Sequence, residues 1–481
     1  MPNLQLPGNP RYQPKQLQCD FGYDHLINAA VEVEIATLRT LADIGVIPQQ
    51  EIGQLTKDVE AKLFAITTTE VDKLEREVTK HDIRALVQIM KEHLPSCLRR
   101  WVHVPLTSYD VLDTANILRF RRAHARTVQP LTDKVIDHLM EKVREFADAI
   151  QIGRTHGQHA LPITVGFCMA TWLSRIISNI ADANEAASNL AGKISGPVGA
   201  YNAQVGLGFA GLCGETSFEV RVLEKLGLKP ARISTQILPP EPLAKYLYAC
   251  VNLSASLGQI GLDCRQLMRT EIAELCEPFD KGQVGSSTMA HKRNPMTFEN
   301  LEGTWKKNKA EFGKVLETMT SEHQRDLVGS SISRDFPTIV VNLVLQLNTL
   351  LREKDGKSFI QRITVDEEAC KRNFAHQDDV ILAEPIYIAL QMAGYDGDAH
   401  ELVNHKAMPH FKEFGYQGIS LLEATRLFTP PEVWRNIPQN TLEMLQNPEM
   451  YTGAAANKAR SIAMIAEGYL FRSEQMRRAG A

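Results

Sequence analysis

Residues 281–302 read Lys-Gly-Gln-Val-Gly-Ser-Ser-Thr-Met-Ala-His-Lys-Arg-Asn-Pro-Met-Thr-Phe-Glu-Asn-Leu-Glu. Gly282, Gly285 and the pair Ser286-Ser287 predict a loop whose backbone amides are free to bind an anion, and His291, Lys292 and Arg293 add positive charge before a new helix begins. The plain alternative is a solvated loop with a chance basic run. A second candidate for chemistry is His156 in Gly153-Arg-Thr-His-Gly-Gln-His-Ala160, since imidazole titrates near neutrality and needs little tuning to transfer a proton. Taken alone, it reads as readily as a buried or capping histidine. His156 and His159 have no further His, Cys or carboxylate at ligand spacing, so no metal site is expected. Gly206, Gly208 and Gly211 spell G-x-G-x-x-G, but no buried strand precedes them and no βαβ unit surrounds them, which excludes a dinucleotide site. G-x-S-x-G, P-loop and H-E-x-x-H patterns are absent from the sequence, and no cofactor is expected.

The elements that must position these residues are helical. After Leu131 the apolar positions Val135, Ile136, Leu139, Met140, Val143, Phe146, Ala147 and Ile150 keep a three-and-four spacing, which predicts one amphipathic helix. A second stripe after Pro242 runs through Leu243, Tyr246, Leu247, Cys250, Leu253, Leu257, Ile260, Leu267 and Ile272, without proline until Pro278. A helix over that span would be roughly 50 Å long. Similar patterns occupy 109–127, 164–191, 303–323 and 337–353, and alternating strand patterns are almost lacking. The expected fold is all-α: a long-helix bundle flanked by smaller helical domains. Turn-rich breaks near 102–107 and 354–365 suggest segments 1–106, 107–360 and 361–481, with the Gly-Ser loop at 282–296 in the central one. Such stripes carry more apolar surface than one chain readily covers, so self-association is expected.

The 481 residues carry 53 Lys+Arg against 57 Asp+Glu, a net charge of −4, which offers no electrostatic footprint for nucleic acid. Eight cysteines without close pairs read as buried thiols in a reducing compartment, the cytoplasm. No basic-then-apolar leader or membrane-length apolar run is present in the sequence.

The order of residues in the loop resembles the signature of the fumarase and aspartase superfamily, Gly-Ser-Ser-x-Met-Pro-x-Lys-x-Asn-Pro, matched at Gly285, Ser286, Ser287, Met289, Lys292, Asn294 and Pro295. Ala290 stands where the pattern has proline. Two further superfamily regions follow suit, Thr107-Ser-Tyr-Asp-Val-Leu-Asp-Thr-Ala115 and the stretch around Thr155 and His156. The chain is similar in particular to the branch that eliminates fumarate from succinylated purine nucleotides, through Arg11-Tyr12, Lys80-His81-Asp82, Gln236, and Arg325, Ser330 and Arg334. Pro239-Pro240-Glu241 replaces the branch's usual Arg-Asp stretch. The resemblance implies Ser286 as general base and His156 as general acid, oriented by Glu299. It implies Lys292, Asn294, Thr107 and Ser108 around the carboxylate that takes up charge, with Thr155, Ser287 and Met289 beside them. Arg11, Tyr12, His81, Asp82, His103, Gln236, Arg325, Ser330 and Arg334 would hold the nucleotide and succinyl group. The superfamily also implies a homotetramer in which each active site draws on three subunits. Sister branches such as argininosuccinate lyases and carboxymuconate cycloisomerases share the loop, and crystallin-like relatives keep the fold without chemistry; Arg11-Tyr12 and 324–334 weigh against the first, and the presence of Ser286, His156 and Lys292 against the second.

Overall fold

The structure, a computed structural model, describes residues 2–279, 288–289, 291–376, 378–415 and 418–479. Among them the chain is mainly helical, and each strand pairs with just one other. The helices used below are α1 (Asn28–Asp43), α2 (Asp82–His93), α3 (Ser108–Ala123), α4 (Gln129–Glu145), α5 (Val165–Ser188), α6 (Glu241–Leu267), α7 (Met296–Leu316), α8 (Pro337–Leu350), α9 (Glu367–Ala375) and α10 (Ala455–Ala479). The chain forms two compact units, one from Met1–Lys134, Ser178–Gln259 and Asn300–Arg352, the other from Val135–Ile177, Ile260–Glu299 and Glu353–Ala481.

In the first unit α1 packs on α3, with Val31, Leu38 and Leu41 of one and Val111, Leu118 and Phe120 of the other fully buried or nearly so. Phe120 also stacks against Phe21 and Tyr246, at ring separations of 5.1 and 6.2 Å. Such stripes, at three-and-four spacing, stabilise helices mainly by what they bury. A parallel pair of two-residue strands, Ala191–Gly192 and Lys229–Pro230, ties the segment after α5 to the loop before α6.

The second unit holds an antiparallel hairpin, β1 (Ile150–Thr155) and β2 (Gln158–Thr164), and a helical layer whose core includes Leu382, Ile386, Leu390, Leu402 and Leu421. Ile152 of β1 packs into that core. At the base of the hairpin Gly166 opens α5 so close to the end of α4 that a Cβ there would lie 2.7 Å from the carbonyl oxygens of Val143 and Phe146.

Two expectations change. The helix predicted from Leu131 through Ile150 ends at Glu145, and Ile150 begins a strand. Ile150 and Ile152 fit a helical period as readily as an alternating one, and so short an apolar run does not discriminate between them. The helix predicted over 242–277 stops at Leu267, and its 27 residues span about 40 Å. There the chain turns through Ala273, whose φ is 53°, and delivers Glu274 to partners in the second unit. The cysteines are all free, but Cys19 is exposed, and Cys213, Cys250, Cys264 and Cys370 are the buried ones. No helix among the described residues is long and apolar enough to cross a membrane.

Candidate active site

The first unit gathers one group of polar side chains around the N-terminus of α3. At the start of the helix the Thr107 backbone N–H donates to Asp110 Oδ2 at 2.9 Å, and the Asp110 N–H donates to the Thr107 carbonyl at 3.0 Å. Asp110, fully buried, also accepts from the backbone N–H groups of Ser195 and Gly196 at 3.0 and 3.1 Å and from the ammonium of buried Lys193. That carboxylate therefore locks the 193–196 segment beneath Thr107 and Ser108. Ser108 Oγ lies 3.3 Å from His81 Nε2, and His81 Nδ1 lies 3.1 Å from Asp82 at the start of α2, with both side chains about half exposed. His103, by contrast, is turned inward by a left-handed backbone (φ 68°) and bonded through Nδ1 to buried Glu34 at 2.7 Å.

Beside this group Arg325 is held by three bonds. Its Nε–H donates to the Asp326 carbonyl at 3.0 Å, Nη1 to Gln236 Oε1 at 3.2 Å and Nη2 to Ser330 Oγ at 2.8 Å. The loop that carries Gln236 is tethered in turn, since the Leu238 N–H donates to Asp113 Oδ2 at 2.8 Å. Enclosure by protein pushes the Asp113 carboxyl up to about 6, against the opposing pull of the Leu238 bond, Lys193 and Arg325. Arg325, Ser330, Arg334, Asp82, Tyr109 and Asp113 share the wall of a cavity of about 1180 Å³. Arg11 and Tyr12 stack on each other at 5.5 Å, both exposed, and are not part of that wall.

The second unit supplies a different group. Thr155 and His156 stand exposed at the tip of the β1–β2 hairpin, where His156 and Gly157 take φ of 57° and 76°. Two successive left-handed residues are what a tight two-residue hairpin turn demands, and glycine meets the second at no steric cost. Below the tip, buried Glu274 accepts from Arg154 at 2.6 and 3.0 Å, from Gln151 at 2.8 Å and from Asn373 of α9 at 2.9 Å. Met289 and Lys292 are exposed, and the Lys292 N–H donates to the Met289 carbonyl at 3.1 Å; Asn294 precedes α7, and Glu299 lies exposed in its first turn. Among the described residues no hydrogen bond joins Glu299 to His156. Ser286 and Ser287 lie outside the described residues.

Sequence reasoning passed over Tyr109, Asp110, Asp113, Glu34 and Glu274. Tyr109 and the two aspartates sat inside a recognised motif, but nothing in their spacing told which would face the cavity. Gly206 ends a short helix, Gly208 lies in the turn after it and Gly211 in the 3-10 helix Ala210–Leu212, away from any βαβ unit. Among the described residues no group of three or more His, Cys, Asp or Glu side chains is placed to hold a metal.

A family model described as lyase matches residues 15–307, which sets the class. Solved structures agree on the fold: a fumarate lyase from Mesorhizobium sp. BNC1 superposes with a TM-score of 0.77 at 23% identity over 94% of this chain and 98% of its own. The 3-carboxy-cis,cis-muconate lactonizing enzyme from Pseudomonas putida gives 0.75 at 22% identity, covering 95% and 98%. Much higher identity joins the chain to adenylosuccinate lyases. That of Archaeoglobus fulgidus is 32% identical, covering 94% of this chain and 96% of its own length. That of Pyrococcus abyssi is 33% identical over 98% of each, and that of Bacillus subtilis 32% over 83% and 88%. The chain belongs to the adenylosuccinate lyase family.

Proposed function

We propose that this protein eliminates fumarate from adenylosuccinate, giving AMP, and from SAICAR, giving AICAR. The observation that carries the reading is the tethered guanidinium of Arg325, with Ser330 and Gln236 as its partners and Arg334 on the same cavity wall, in a chain of this family. Planar forks of this kind suit the oxyanions of a nucleotide substrate.

In the proposed reaction the Ser286 alkoxide takes the proton from the carbon beside a succinyl carboxylate. The electron pair left behind passes into that carboxylate as a dianionic aci form, then returns to form the double bond of fumarate as the carbon–nitrogen bond breaks. His156 delivers a proton to the departing nitrogen. A serine hydroxyl is a poor base in water, so the step needs a dry, positive surrounding. Lys292, Asn294, Thr107 and Ser108 supply fixed donors for the carboxylate charge, with Thr155, Ser287 and Met289 beside them. Arg11, Tyr12, His81, Asp82 and His103 contact the nucleotide and succinyl portions in this assignment.

A homotetramer with sites shared between subunits, a division into segments 1–106, 107–360 and 361–481, and a cytoplasmic location belong to the same proposal. Support for the shared site comes from His156, exposed on its hairpin tip with no hydrogen bond to Glu299 among the described residues. Helix α10 also exposes Met464, Ile465, Phe471 and Met476, an apolar surface of the kind that partner helices cover. The test is the ultraviolet absorbance change on mixing pure protein with adenylosuccinate. Ser286→Ala and His156→Ala should each lower turnover at least about a hundredfold while substrate still binds. Activity confined to argininosuccinate or a muconate substrate would reject the reading.

A further inference from the structure

Arginine has five N–H donors in one plane. In Arg325 three of them are committed, to Asp326, Gln236 and Ser330, and two have no partner among the described residues. One face of that plane is occupied: the guanidinium carbon sits 3.3 Å from the centroid of the Tyr109 ring. The Tyr109 hydroxyl is hydrogen-bonded to Ser330 Oγ at 3.1 Å, the same oxygen that accepts from Arg325 Nη2. Tyr109 thus grips the guanidinium twice, by its face and through Ser330. It is also placed to couple elements far apart in sequence, being the second residue of α3, directly after Ser108, and part of the cavity wall with Ser330 and Arg334.

We infer that Tyr109 is a positioning residue that covers one face of the Arg325 guanidinium and leaves its edge to receive an oxyanion of the substrate. The inference rests on the fumarate-eliminating reading. A guanidinium binds phosphate or carboxylate through in-plane N–H groups, and its faces stack on aromatic rings, so a ring on one face directs the anion to the edge. Without the ring the long side chain regains rotamer freedom that binding must then remove. The hydroxyl adds a smaller part, because it fixes the Ser330 oxygen on which Nη2 rests.

Steady-state cleavage of adenylosuccinate by the full-length protein, with Tyr109→Leu and Tyr109→Phe, tests this. Removing the ring in Tyr109→Leu should raise KM about tenfold with kcat within about threefold, and Tyr109→Phe, which keeps the stack, should stay within about threefold of the parent in KM. A purely structural role would instead lower the melting temperature and the active fraction, leaving KM in place. Product inhibition separates the two anions: weaker inhibition by AMP in Tyr109→Leu assigns the Arg325 edge to phosphate, and weaker inhibition by fumarate assigns it to a carboxylate. Unchanged KM, inhibition altered for neither product, or a Phe variant as impaired as Leu would each overturn the inference. If the parent released no fumarate from adenylosuccinate, the functional reading would fall by itself. Calorimetric titration with inorganic phosphate and with fumarate would then judge Tyr109, and identical dissociation constants in parent and Tyr109→Leu would overturn its role.

Discussion

Replacing Asp113 by asparagine should stabilise this protein at neutral pH and flatten its response to pH. Burial pushes the carboxyl from an ordinary 3.8 to about 6, so the folded state binds the proton more tightly than the unfolded chain does. The sign follows: the stabilisation from the protonated acid is complete below about pH 4 and is lost as pH rises through about 6. Above that, the folded protein holds an ionised carboxylate at a cost of about 1–3 kcal/mol, from roughly two units at ~1.4 kcal/mol each as the upper bound. Asparagine carries no charge, yet its side-chain oxygen can still accept the Leu238 N–H, so the loop bearing Gln236 keeps its tether. Thermal unfolding of Asp113→Asn and the parent, free of ligand, at pH 5, 6, 7 and 8 measures the effect. The variant's advantage should grow with pH and level off above 7, amounting to at most a few degrees in so long a chain. A difference between the two proteins that does not vary with pH, or a variant less stable at pH 7, would refute the reasoning.

Glu274→Gln should destabilise strongly, about 3–5 kcal/mol, because it leaves Arg154 without its charge partner and turns an amide N–H toward side chains that are already donors; denaturant titration reads it, and a midpoint equal to the parent's would count against the account. Arg11→Ala should raise KM for the phosphorylated substrate several-fold with kcat nearly constant, as loss of a phosphate contact requires. Initial rates over a range of adenylosuccinate concentrations decide that point. Inactive Ser286→Ala and inactive His156→Ala proteins should regain activity when co-expressed, since some mixed sites receive both intact residues. Hybrid oligomers that form but stay inactive would end the shared-site proposal.

The helices were the most legible part. Stripes read at 109–127, 164–191 and 337–353 correspond to helices at Ser108–Ala123, Val165–Ser188 and Pro337–Leu350, whereas the one read at 303–323 overlaps a helix that begins and ends about two turns earlier, Met296–Leu316. Burial dictates the stripe, so the stripe reports the helix. The hairpin escaped notice because its turn is His-Gly and not Asn-Gly, and because the β1–β2 register shifts between Ile152 and Arg154, which breaks the alternation. Gln236, Arg325 and Ser330 could be picked out from residue order, but their mutual bonds could not. Tyr109 and Ser330 lie 221 residues apart, and Lys193 and Asp110 lie 83 apart. No local pattern records such pairings, and a tyrosine beside a buried aspartate reads as ordinary helix.

The carboxylate of Glu274 has a consequence for the order in which the chain assembles. The β1–β2 hairpin closes within residues 150–164, a local event. Its anchor does not: Gln151 reaches Glu274 across 123 residues, and Asn373 reaches it across 99. Long loops must close before those bonds can repay the entropy lost, so the knot is expected to form after the helices around it have met. Interactions absent from the folding transition state act chiefly on the rate of unfolding. Glu274 would then work as a latch that is set last: weakening it shortens the lifetime of the folded hairpin, and of the His156 turn at its tip, while the time needed to reach that state hardly changes.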